Sequence, residues 1–88
     1  MYTSYPESIV KTHFFDFQLE KRTRVSIVVY DKMGKIVSNL VDSELDAGEH
    51  GVVWHAVDNN GMPLSKGVYF YTIETDEFKA SKTMSIAR

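Results

Sequence analysis

Val25-Ser26-Ile27-Val28-Val29-Tyr30-Asp31-Lys32-Met33-Gly34 is the stretch that decides the fold class of this chain. In an extended backbone Val25, Ile27 and Val29 share one side, and Ser26, Val28 and Tyr30 share the other. Alternation built from β-branched and aromatic residues is the pattern of a strand with one face in a core. The run ends at Asp31-Lys32-Met33-Gly34, where the glycine allows the positive φ of a tight turn. A strand closed at once by a turn points to antiparallel β structure.

The same period recurs on both sides of this stretch. Phe15, Phe17 and Leu19 alternate with Asp16 and Gln18. Val52 and Trp54 follow a turn at Asp46-Ala47-Gly48, and Tyr69, Tyr71 and Ile73 alternate with Phe70, Thr72 and Glu74. Met84 and Ile86 alternate with Thr83 and Ser85 near the end of the chain. Asp58-Asn59-Asn60-Gly61 with Pro63, closed by Gly67, reads as a longer loop, and Asp76-Glu77 as a hairpin tip. Turns about ten residues apart predict an all-β sandwich or barrel. The expected core is Phe15, Phe17, Leu19, Val25, Ile27, Val29, Val52, Trp54, Tyr69, Tyr71 and Ile73. One segment resists this reading. Ile36, Val37, Leu40, Val41 and Leu45 fit a helical spacing better than alternation. A lone short helix between strands is marginal, so a strand over 35–41, bulged and followed by a loose turn, is the preferred expectation.

Composition narrows the function. Eighty-eight residues allow one domain, expected to span 1–88. The formal net charge of −2 gives no basic field to capture nucleic acid or an acidic membrane. The absence of cysteine removes disulfides, thiolate nucleophiles and Cys-based metal sites. No apolar run is long enough to span a membrane, and Met1 to Lys11 has no signal-peptide pattern. The expectation is residence in the cytoplasm or origin as a piece of a longer exported protein.

Candidate chemistry is sparse. On a regular strand His50 shares a face with Val52 and Trp54 while His55 points away, and His13 lies in another strand. They are expected not to meet at a metal. Asp58-Asn59-Asn60-Gly61 has the start of a calcium loop, but Tyr69 stands where an EF-hand needs glutamate. A turn is the preferred reading. Lys21, Arg22 and Arg24 are expected to be a solvated hairpin tip rather than a nucleic-acid site. No nucleophile elbow or phosphate loop is present. The chain is therefore expected not to be an enzyme, with no cofactor and no metal. Phe14, Val28, Tyr30, Val53, Val68 and Phe70 fall off the core stripe. They are either packing of a second sheet or a docking patch for another domain, the patch being Phe14, Val28, Tyr30, Val68 and Phe70.

These pieces together resemble a known pattern. Tyr5-Pro6, Phe15 to Leu19, Val29-Tyr30-Asp31 with Gly34, Gly48-Glu49-His50 with Trp54, Asp58 with Gly61, Gly67-Val68-Tyr69-Phe70-Tyr71, and Lys82 to Met84 with Arg88 follow in order. The series is similar to the C-terminal immunoglobulin-like sorting domain of type IX secretion cargo. That domain is related to the Ig-like domain of the flagellar hook-capping protein. The usual opening Y-P-N-P-F-N-P reads here Tyr5-Pro6-Glu7-Ser8-Ile9-Val10-Lys11, and His55 stands where aspartate usually follows the tryptophan.

The resemblance implies an Ig-like β-sandwich of about seven strands, at the C-terminal end of a longer bacterial protein. It implies a secreted or outer-membrane, cell-surface location. The implied partners are the secretion machinery or a neighbouring domain, without nucleic acid and without direct membrane insertion. The last strand, Phe78 to Arg88, is the expected recognition element, with Lys82, Met84, Ile86 and Arg88 as its contact positions. The main alternative is an Ig-like accessory domain, hook-cap-like or docked on a neighbouring domain. A more distant one is a carbohydrate-binding module using Tyr2, Tyr5, Tyr30 or Tyr69 to Tyr71.

Overall fold

The structure is a computed structural model and describes residues 13–86. Among them are six strands: β1 (His13–Leu19), β2 (Thr23–Tyr30), β3 (Ile36–Leu45), β4 (Gly48–Trp54), β5 (Gly67–Glu74) and β6 (Lys79–Ile86). All pairings are antiparallel. β1 and β4 form one sheet, and β3-β2-β5-β6 form the other. The chain is all-β and folds as an Ig-like sandwich.

The alternating stripes meet between the sheets. Phe15 and Leu19 of β1 and Trp54 of β4 pack with Val25, Ile27 and Val29 of β2, Tyr69 of β5 and Ile86 of β6. Phe17, Val52, Tyr71 and Ile73 are half-buried against this cluster. Burying a large side chain contributes roughly 1.5–3 kcal/mol, so these residues carry most of the drive to fold. The indole N–H of Trp54 donates to the Val57 carbonyl at 3.0 Å, and the Tyr69 hydroxyl donates to the Ser65 carbonyl at 2.8 Å. Each ring is thus buried without an orphaned polar atom.

The helix-like segment is a strand, longer than the expected 35–41. β3 runs to Leu45, and the expected loose turn shrinks to the residues before Gly48. Its pairing with β2 shifts twice: Ile27 and Val28 oppose Val41 and Asn39, and Val29 and Tyr30 oppose Ser38 and Ile36. Leu40 and Val37 are the extra residues, and each bulge resets the alternation of sides. The far end of β3 is tied to β2 by ion pairs. Arg22 meets Glu44 and Asp46, and Arg24 meets Asp42. The Asp46 hydrogen bond and charge, with Glu44, raise the Arg22 pKa above its ordinary value. Both arginines of the basic cluster are therefore paired with neighbouring acids.

Two loops share one design. In Asp31-Lys32-Met33-Gly34-Lys35 the Asp31 Oδ1 accepts from the backbone N–H groups of Met33 and Lys35, both at 2.9 Å. In Asp58-Asn59-Asn60-Gly61-Met62 the Asp58 Oδ1 accepts from those of Asn60 and Met62 at the same distance. Gly34 and Gly61 have φ of 85° and 83°, a region that costs other residues roughly 1–2 kcal/mol. Asn59 then joins its loop to β3. Its side chain exchanges hydrogen bonds with Asn39, and its backbone N–H reaches the Val37 carbonyl.

Candidate protein interaction surface

Among the described residues two surfaces stand out as candidates, and each follows from strand register. The first is the outer face of the four-stranded sheet. Tyr30 pairs with Ile36 on one side and Phe70 on the other. Paired residues share a face, so Ile36, Tyr30 and Phe70 form one apolar row across β3, β2 and β5. Ile36 is 49% exposed and Phe70 39%. Val68 extends the row along β5, while Val28 is only 8% exposed beneath its neighbours.

This arrangement divides the expected docking patch. Phe14 lies on β1, in the other sheet. It is 58% exposed, and its ring lies over Gly51 of β4, where an added Cβ would come within 2.8 Å of the ring. Phe14 and Val53 oppose each other on that separate face. Val28 is a buried floor rather than a contact position. Ile36 is the member that alternation missed. The bulge at Val37 is what turns Ile36 to the outer face, and no single-strand pattern signals it.

The second surface is the outer edge of β6. β6 pairs with β5 without a shift from Lys79 to Ile86, and its other edge has no strand beside it among the described residues. Of the four expected recognition positions, Ile86 is 5% exposed in the core and Met84 is half-buried against it. Both belong to the inner stripe, which turns their side chains toward the core. Lys82 is exposed. Arg88 lies outside the described residues, as do Tyr2 and Tyr5.

The remaining candidates separate. His13 packs edge-on against Phe15, His50 stacks on Phe17 with Nε2 2.6 Å from the Asp46 carbonyl oxygen, and His55 is exposed beyond β4. Among the described residues no three His, Asp or Glu side chains gather where they could hold a metal. Asp58 commits Oδ1 to its own turn. An aromatic strip for sugar does not form across Tyr69 to Tyr71, because Tyr69 is buried and Tyr71 packs against Phe15.

Among the described residues the open features of this Ig-like sandwich are an apolar row and an unpaired strand edge, which are consistent with a structural or interaction domain. The profile of the FlgD Ig-like domain matches residues 11–78, and the chain belongs to that family. Among solved structures the crystal structure of FlgD from P. aeruginosa is similar, with a TM-score of 0.63 at 22% identity. The match covers 85% of this chain and 59% of that one, so this chain spans little more than half of that protein. No curated protein matches the chain.

Proposed function

We propose that this domain is a non-catalytic sorting and anchoring module of an exported bacterial protein, directed through the type IX secretion system to the cell surface. The observation that carries the reading is β6, an ordered strand of eight residues whose outer edge is unpaired among the described residues. An address must be a fixed surface, and a free edge offers a row of backbone donors and acceptors to a receptor. The ordered motif Gly67 to Tyr71 supports the same reading, because it begins β5, the strand that holds β6 in place. The test fuses residues 5–88 to a folded reporter in a type IX-competent host. Export of the reporter is expected. Retention of a soluble, folded fusion inside the cell defeats the proposal.

A second reading rests on the outer row of Ile36, Tyr30 and Phe70. In it the domain is a structural accessory that packs this face on a neighbouring domain. It predicts that changes on the outer row weaken the parent protein while export of the reporter is unaltered.

A further inference from the structure

The two edges of the four-stranded sheet are unlike. β3 bulges twice, and bulges are a common device against strand addition. β6 has no bulge and no proline over its eight residues. Its single inward-facing charge is Lys82, which pairs in register with the half-buried Tyr71. Lys82 makes no ion pair among the described residues. It stands at the mouth of a groove of about 260 Å³ between the sheets, with Phe15, Phe17, Tyr71, Ile73 and Phe78 along its walls. The other charged group on the lining is Asp16, on the outward-facing series of β1 at the rim.

We infer that β6 accepts one further strand from a partner protein, an extended segment with a carboxylate opposite Lys82 and apolar side chains on either side of it. A strand laid along β6 turns every second side chain toward the groove. Apolar groups there meet the aromatic walls. The position opposite Lys82 meets an ammonium that makes no ion pair among the described residues. A neutral or basic residue leaves that charge to be partly desolvated alone, and a carboxylate forms a cross-strand pair with it. A second copy of β6 is disfavoured for the same reason, since it brings another Lys82 to the same edge. The inference rests on the receptor-read role proposed above for β6 and names the chemistry of the partner.

The test uses the full isotope-labelled chain and two blocked octapeptides of alternating valine and threonine. One carries a central glutamate, the other a central lysine. Saturable shifts are expected on the amides of β6 and on the rings of Phe17 and Tyr71. The glutamate peptide should bind about two- to fivefold more tightly. Lys82→Glu, an exposed change whose folding is checked in the same spectra, should reverse the order. Absence of saturable shifts, equal affinity for the two peptides, or shifts centred on β3 overturns the inference. So do contacts from residues 1–12 to Phe17 or Tyr71 in the free chain, which give the groove to the chain's own segment. A concentration-dependent dimer through β6 gives it to a second copy and also overturns it. If the peptides fail while the reporter is still exported, the sorting role stands and is exercised elsewhere on the domain.

Discussion

At Asp58 one carboxylate oxygen stands in for the backbone partners that a tight turn lacks. It satisfies two N–H groups at once, and Gly61 supplies the left-handed residue that lets the chain reverse. Asp58→Ala is expected to lower stability by about 1–2 kcal/mol. Asp58→Asn should stay close to the parent, because an amide oxygen accepts the same bonds. Urea midpoints of the two variants decide this, and an equal loss in both would mean that charge rather than hydrogen bonding holds the loop. Trp54 is the other decisive residue. Trp54→Ala should cost about 3–5 kcal/mol, a large part of the roughly 5–15 kcal/mol available to a domain. The variant is expected to be mostly unfolded by near-ultraviolet circular dichroism at 37 °C.

The elements differ in how openly the sequence declares them. β2 is plain, because Val25, Ile27 and Val29 keep strict alternation and all three are fully buried. β3 is not. Its bulges at Leu40 and Val37 produce paired apolar residues that imitate a helical period. Bulges depend on the partner strand, so periodicity within one segment cannot find them. The same effect hid Ile36 from the candidate surface. On β6 alternation with Ser85 places Met84 and Ile86 on one face, and that face turns to the core. Phe14, Tyr30 and Phe70 all fall off the core stripe, yet Phe14 lies in the other sheet. Which sheet a strand joins is a long-range fact that spacing does not contain. The outer row gives this scale its prediction. Ile36→Glu with Phe70→Glu should change stability by less than about 1 kcal/mol, as surface changes generally do. The native domain's enhancement of a hydrophobic dye should fall sharply. Unchanged dye binding would place the accessible apolar surface elsewhere, with Phe14 and Val53 the first alternative.

For the whole molecule the topology sets how the fold is reached. β1 pairs with β4 across β2 and β3, with Phe15 opposite Val52, and β2 pairs with β5 across β3 and β4. The core has no small local unit that closes by itself. Val25, Ile27 and Val29 gain their burial only when β1 and β4 arrive from the other sheet. The entropy of closing those loops must be met before the contacts offset it. Refolding is therefore expected between about a millisecond and a second, in the range of β-sandwiches rather than helical bundles. Trp54 is the only tryptophan, and its ring sits at the junction of the two sheets. Its fluorescence in a stopped-flow dilution from urea reports the assembly of that junction. A complete change within the first tens of microseconds would mean that the core forms from local contacts, contrary to the order of strands seen here. A single slower phase, with Trp54 fluorescence and β circular dichroism recovering together, is the behaviour that two sheets sharing one core require.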